Sequence, residues 1–214
     1  MDMFLNVGPS AANASDGTSI GSRCGRTGDQ ITSKFMPDAA EACARGLIYT
    51  AFINALTLTS THASPIAAGT GTPIIGIYNP AGSNRNLIVM KTVQSHTSGT
   101  PGGPLLYNVI PNAQNISAAN TSPTSNQSFQ TTGSVAKLFN NVALTGSTVG
   151  QAQRVIGGPG AVALGAGIQT YTELHNGEFI IPPGAMVAVA CTAAGTTNII
   201  SVYVQWTETP ITGV

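Results

Sequence analysis

The sequence predicts an all-β protein, an antiparallel sandwich or barrel. About eight to ten short apolar segments alternate with turns rich in glycine and proline, which is typical of these folds. No segment shows the sustained apolar stripe of an amphipathic helix. Hydrophobic residues make up 42% of the 214-residue chain, enough for a core in one domain, while charged residues make up only 7%. Ordinary domains carry roughly 25% charged residues.

The clearest strands close the chain, between Glu178 and Glu208. In the final run two sets of residues alternate: Ile200, Val202, Val204 and Trp206 on one face, and Ser201, Tyr203, Gln205 and Thr207 on the other. The first set is predicted to face the core. In the preceding run, Ala185 to Thr192, both alternating sets are apolar, which predicts burial on both faces. Because a short glycine-containing turn separates the two runs, we expect them to pair.

Further strands are predicted in Leu47–Thr61, Pro73–Tyr78, Leu87–Gln94, Leu105–Ile110, Val135–Leu144, Val155–Ile168, Tyr171–Leu174 and Phe179–Ile181. The turn at 79–84 predicts a hairpin between the second and third of these. Between the fourth and fifth, Pro111 to Gly133 is polar and nearly featureless. A segment of this kind in a compact domain is usually functional, mobile or pressed against a neighbour.

Charge divides the chain into an arm and a domain. Nine of the sixteen charged residues lie in residues 1–45, which are otherwise rich in small polar residues. We therefore predict an extended N-terminal arm at 1–45 and a β-sandwich domain at 46–214. Within the arm, the alanine-rich stretch 38–45 precedes Gly46, a pattern that favours a short helix with a glycine stop.

The overall charge favours neither nucleic acid nor a membrane surface as a partner. The net charge is zero, so no strong field attracts anions. The arm has a weakly basic cluster, Arg23, Arg26 and Lys34, which nearby aspartates partly offset. No apolar run is long enough to span a bilayer, and the first residues lack the basic region of a signal peptide. We expect synthesis in a cytoplasm without secretion.

No motif predicts catalysis, a metal site or a cofactor. His62, His96 and His175 lack a second ligand at a spacing that would share one strand face, and we expect them at loop or edge positions. Glu173 and Glu178 flank His175 and would either share a site with it or form a polar turn, and the turn is favoured. We therefore expect a protein that is not an enzyme and acts on no small molecule.

Nucleophile and phosphate-binding patterns are missing too. No Gly-x-Ser-x-Gly elbow occurs, and the glycine clusters at 99–103 and 157–160 lack the lysine and helix of a phosphate loop. The three cysteines are widely spaced and form no disulfide framework, so Cys24, Cys43 and Cys191 are predicted to be small buried hydrophobic residues.

The outer face of the last strand is the candidate subunit interface. Tyr203, Gln205 and Thr207 are uncharged and point away from the predicted core. Depletion of Lys, Glu and Asp is typical of interface cores, so a surface covered by copies of the chain would show this composition. An outward Tyr203 beside Gln205 would alternatively hold a sugar or a partner strand.

Two stretches resemble small virion structural proteins of tailed bacteriophages. Gly76 to Ser83 ends a strand in a Tyr-Asn-Pro-x-Gly-Ser turn, and Asn86 to Val89 opens the next strand with Asn-Leu. The closing Ile181-Pro182-Pro183-Gly184, with a terminal Val-x-Trp-x-Glu, is similar to the same group.

This resemblance implies a sandwich of jelly-roll type, commonly trimeric, mounted on a capsid or tail as a cement, decoration or fibre protein. The implied partners are further copies of the chain and the major capsid protein or another virion protein, and the implied location is the virion. The arm with Arg23, Arg26 and Lys34 would anchor the domain to the particle. The alternative is a receptor- or glycan-binding module of a tail fibre or spike, with Pro111 to Gly133 as its recognition loop.

Overall fold

The fold is an all-β sandwich, as predicted. The computed structural model describes residues 42–43, 46–100, 103–113, 124–125, 133–157, 169–193 and 197–211. The strands in these residues are β1 (Ile48–Thr57), β2 (Ile75–Tyr78), β3 (Arg85–Ser98), β4 (Leu105–Ile110), β5 (Thr124–Ser125), β6 (Lys137–Phe139), β7 (Gln151–Gly157), β8 (Gln169–Ile181), β9 (Met186–Cys191) and β10 (Ile199–Pro210). A short 3₁₀ helix, Ser60–His62, follows β1.

The strands form two antiparallel sheets of five. Sheet 1 has the order β5-β1-β10-β3-β8, and sheet 2 has the order β6-β2-β9-β4-β7. Four strand pairs are nested within one another along the chain: β1 with β10, β2 with β9, β3 with β8 and β4 with β7. The chain therefore behaves as one long hairpin whose successive pairs alternate between the sheets.

Both predicted hairpins are wrong. β9 lies in sheet 2 and pairs with β2 and β4, whereas β10 lies in sheet 1 and pairs with β1 and β3. The turn at 79–84 likewise joins β2 in sheet 2 to β3 in sheet 1. These turns cross from one sheet of the sandwich to the other, because the two strands that each of them joins lie in different sheets.

The main core lies between the sheets. Val202, Val204 and Trp206 of β10 are buried there, which confirms the predicted inward face. Trp206 packs on Tyr49 of β1 with a ring separation of 6.1 Å. From sheet 2, Val187 reaches the same core.

A second apolar cluster covers the outer face of sheet 2. All residues of β9 are buried, as predicted, and its outward Met186, Ala188 and Ala190 pack in this cluster with Ile66 and Leu144. The last two come from the β1–β2 and β6–β7 connections. Backbone hydrogen bonds join these connections, with Gly150 N–H donating to Ile66 O at 2.9 Å and Leu144 N–H to Gly71 O at 3.1 Å. The chain therefore covers this face of sheet 2 with its own loops.

β8 differs from prediction. The stretches 171–174 and 179–181 are parts of one long strand, and residues 175–178 form a bulge opposite Met90. Asn176 and Gly177 have φ values of 48° and 85° there. Of the predicted strand 135–144 only Lys137–Phe139 is extended, and of 155–168 the part beyond Gly157 lies outside the described residues.

Most of the predicted arm lies outside the described residues, including Arg23, Arg26, Lys34 and Cys24. Ala42 and Cys43 of the predicted helix are helical. Leu47 N–H donates to Ala42 O and Gly46 N–H to Cys43 O, both at 2.9 Å, and Gly46 has a φ of 72°. These are the hydrogen bonds of a glycine-capped helix end.

Candidate functional site

The predicted interface residues Tyr203, Gln205 and Thr207 lie on the outer face of β10. Each is half-buried, because β1 and β3 flank β10 on either side. The strand register extends their positions into rows across sheet 1: Phe52–Tyr203–Val93–Thr172, then Thr50–Gln205–Lys91–Leu174, then Ile48–Thr207–Ile88–Ile180. We call these three rows the outer face of sheet 1.

Large apolar side chains are exposed on this face. Phe52, Leu174 and Ile180 are 56%, 60% and 53% exposed. The outward face of an antiparallel sheet is ordinarily polar. Sheet 2 hides the outward apolar residues of β9 beneath loops, whereas these side chains of sheet 1 remain open to a partner.

The outer face of sheet 1 carries a single charge, that of Lys91. Its ammonium lies 5.9 Å from the centre of the Tyr203 ring, a cation–π contact. On its row it lies between Gln205 and Leu174. The face is therefore largely apolar and uncharged, with one cation near its centre.

A polar network crosses the core close to the β7–β8 edge. Tyr107 Oη of β4 lies 2.8 Å from His175 Nε2, and Thr92 contacts both groups. Glu173 Oε1 is 3.9 Å from His175 Nδ1. Tyr107 and His175 are buried, so the network joins sheet 1 to sheet 2 inside the sandwich.

The expectation of a polar turn at Glu173, His175 and Glu178 is wrong. The three residues belong to β8, and the inward parity of His175 places its ring in the core against Phe179, at a centroid distance of 5.8 Å. Arg154 of β7 bridges the two carboxylates, with Nη2 2.9 Å from Glu173 Oε1 and Nη1 3.2 Å from Glu178 Oε2.

Burial shifts the titration of this network. It lowers the pKa of His175, an effect that Arg154 reinforces, and it raises the pKa values of Tyr107 and Glu173. The imidazole is thus held neutral and the phenol protonated at neutral pH. Because neither ring is open to solvent, the network is suited to joining the two sheets rather than to acid–base exchange with a substrate.

Glu208 is a buried carboxylate that sequence reasoning missed. Arg85 Nη1 donates to its Oε2 at 3.0 Å, while Ser134 Oγ and the Val135 N–H donate to its Oε1 at 2.5 and 3.0 Å. Its side chain is fully buried. The sequence did contain an indication of this burial, since Glu208 falls on the same inward-facing side of β10 as Val204 and Trp206.

The other two histidines are buried as well. His62, in the 3₁₀ helix, accepts a hydrogen bond from Thr59 N–H at Nδ1 (3.0 Å), and its Nε2 lies 2.9 Å from Asn141 Oδ1. His96 lies on β3, between β10 and β8, so its expected loop or edge position is wrong. Among the described residues, the side chain of Asn198 is the polar group beside the His96 ring, although no hydrogen bond of ordinary geometry reaches either ring nitrogen. Burial lowers the pKa of both imidazoles.

Cys191 is buried, as predicted, and its Sγ donates to His62 O at 3.3 Å. Burial raises the pKa of this thiol to about 11, which keeps it protonated and unreactive. Cys43 is half-buried and unpaired. Within the described ranges, no group of three or more His, Cys, Asp or Glu side chains is placed to hold a metal ion. No described helix is long and apolar enough to cross a bilayer.

One groove opens on the covering loops of sheet 2. It has a volume of about 290 Å³ and is lined by small and hydroxyl-bearing residues of the β1–β2 connection, among them Ser60, Thr61, Ala67 and Thr70. A smaller slot of about 110 Å³ lies at the β7–β8 edge beside Glu178, Phe179 and Ile180.

The chain was compared with protein-family models, with curated proteins and with solved structures, and none matches it.

Proposed function

We propose that the protein is a non-enzymatic virion structural protein that stabilises or decorates a phage capsid by packing against its neighbours. One observation carries the proposal: the outer face of sheet 1 exposes Phe52, Leu174 and Ile180, although the chain covers the corresponding face of sheet 2 with its own loops. Leu174 and Ile180 lie on β8 in neighbouring rows, and Phe52 lies on β1 of the same face. Large exposed apolar side chains gathered on one face of a sheet are typical of an interaction site.

The nested strand pairs support the jelly-roll assignment. In a jelly roll, eight strands wrap as one long hairpin into two sheets, and β1–β4 paired with β10, β9, β8 and β7 follow that scheme. β5 and β6 are then additions within the connection between the fourth and fifth strands of the roll. Jelly rolls occur in viral capsid proteins, lectin domains and cupins, so the fold narrows the choice of function without fixing it.

Subunit packing is energetically reasonable on this face. Covering one large apolar side chain contributes about 1.5–3 kcal/mol before the costs of association are subtracted. The three side chains are each a little over half exposed, so they supply part of a homotrimer contact, and Tyr203 and its row extend it. The N-terminal arm, with Arg23, Arg26 and Lys34, then serves as the anchor to the major capsid protein or another virion protein.

The first experiment measures assembly. Size-exclusion chromatography with light scattering on the full chain should give a trimer at micromolar concentration. Phe52→Asp should raise its dissociation constant at least about tenfold, because a charge replaces a large apolar contact. Val149→Asp is the matched control: Val149 is 52% exposed but lies outside sheet 1, so the trimer should persist. A wild-type monomer that does not bind phage particles, or a trimer that Phe52→Asp leaves unchanged, contradicts the proposal.

The alternative is a glycan- or receptor-binding module, and the groove on the β1–β2 connection is the observation that favours it. Its hydroxyl groups suit a sugar, although the lining includes no aromatic ring. A glycan array separates the two functions, since a cement protein binds particles and not glycans.

A further inference from the structure

We infer that the neighbour on the outer face of sheet 1 is a second copy of this chain, which docks by its β7–β8 edge and pairs its Glu178 with Lys91. The inference rests on the subunit packing proposed above and names the surface that does the packing. It follows from the distribution of charge in the described domain.

The first step is the cation. Lys91 lies near the middle of an otherwise uncharged apolar face, and among the described residues its contact is the Tyr203 ring. A partner that covers Phe52 and Leu174 also removes water from this ammonium. Burying an ammonium without a carboxylate is costly, so the partner surface must bring an acidic group to Lys91.

The second step asks which carboxylate a second copy of the chain can bring to Lys91. The described residues contain three glutamates. The side chain of Glu208 is fully buried, and that of Glu173 is only 16% exposed and already bonded to Arg154. Glu178 is 70% exposed, so within the described part of the chain it is the carboxylate that a second copy can present.

The third step is the surface around Glu178. Arg154 Nη1 lies 3.2 Å from Glu178 Oε2, and Arg154 Nη2 lies 2.9 Å from Glu173 Oε1, so negative and positive charges alternate along this edge. Lys91 of the neighbouring copy would add the next positive charge beside Glu178. Val155, exposed by 56%, supplies apolar contact beside it. The slot of about 110 Å³ next to Glu178 gives an apolar side chain a place to insert.

The two surfaces differ, so the contact is heterologous. A face on one copy meets an edge on the next, and such contacts close into a ring when the rotation permits. A cyclic trimer is one such ring. Each copy then uses its outer face of sheet 1 once and its β7–β8 edge once.

The test is a charge swap on the full chain, with assembly measured by light scattering across protein concentrations. Lys91→Glu and Glu178→Lys should each raise the dissociation constant about tenfold or more, because each places like charges together. The double variant Lys91→Glu/Glu178→Lys should return it to within about threefold of wild type. Lys137→Glu, the same charge change on β6 of sheet 2, should leave assembly unchanged.

Circular dichroism and thermal melting of each variant separate misfolding from lost assembly. If Phe52→Asp dissociates the oligomer but Lys91→Glu does not, or if the double variant stays dissociated, the Lys91–Glu178 pairing is overturned while the proposed function stands. If the wild-type chain is monomeric yet binds phage particles, another virion protein covers the face, and the second copy is overturned as the occupant.

Discussion

At the scale of single residues, each of the three described glutamates is paired with an arginine. Glu208 takes hydrogen bonds from Arg85, Ser134 and Val135, which ties the end of β10 to the start of β3 and to the segment before β6. Glu178 is also paired with an arginine, but at the surface. The two glutamates therefore make a matched comparison of buried and exposed ion pairs.

Glu208→Ala should lower the free energy of unfolding by about 2–4 kcal/mol, because it leaves Arg85 and the Val135 N–H without their acceptor. In the dissociated chain, Glu178→Ala should cost no more than about 1 kcal/mol, since its pair with Arg154 is exposed. Urea denaturation at one protein concentration measures both. Equal costs would show that the buried carboxylate has no special role.

Acid should destabilise the fold through its buried histidines. His62 accepts a hydrogen bond at Nδ1, so the folded state holds it neutral, and burial lowers its pKa below the usual 6.5. The unfolded chain therefore binds a proton that the folded chain excludes. Stability is complete above about pH 6.5 and falls as the pH drops towards the folded-state pKa.

The measurement is urea denaturation between pH 8 and mildly acidic pH. His62→Gln should reduce the pH slope by up to about 1.4 kcal/mol per pH unit, whereas Lys137→Gln should leave it unchanged. His96 and His175, whose pKa values are lowered too, contribute to the slope in the same direction. An unaltered slope in His62→Gln would show that this imidazole takes up no proton on unfolding.

At the scale of elements, β8 keeps the same side towards the core on both sides of its bulge. Leu174 points outward and His175 inward before the bulge, and Phe179 points inward after it, so the strand keeps its buried side despite the extra residues. A bulge in an edge strand also discourages open-ended pairing with other chains. The left-handed backbone of Gly177 makes this geometry possible.

Gly177→Ala should lower the free energy of unfolding by about 1–2 kcal/mol, because φ is +85° and an alanine is strained there, although its Cβ meets no atom within 4 Å. Gly82→Ala is the control: its Cβ also meets no atom within 4 Å, but Gly82 lacks a positive φ. It should be neutral or slightly stabilising. Thermal melts of the two variants compare them directly, and equal melting temperatures would contradict the strain argument.

At the scale of the whole molecule, the outer faces of the two sheets are covered to different extents. Sheet 2 is closed on its outer side by Ile66 and Leu144 from two connections, whereas sheet 1 leaves Phe52 and Leu174 exposed. The domain therefore covers much of the outer face of sheet 2 with its own residues, whereas the outer face of sheet 1 is suited to contact with a neighbour. That asymmetry is what the assembly measurements test.

Some features of the fold follow from the sequence by itself. The alternation of Val202, Val204 and Trp206 determined the inward face of β10, and the apolar composition of β9 determined its burial on both sides. Both predictions succeed because the preference of a side chain for water or core is a property of the residue itself. The outward positions of Tyr203 and Gln205 follow in the same way.

The strand partners were decided only by the tertiary structure. Backbone hydrogen bonds are the same for every residue type, so local patterns do not say whether β10 pairs with β9 or with β1, and both predicted hairpins failed for this reason. The candidate site depends on those partners. Phe52, Lys91 and Leu174 come from three distant strands, and the register of sheet 1 brings them to one face.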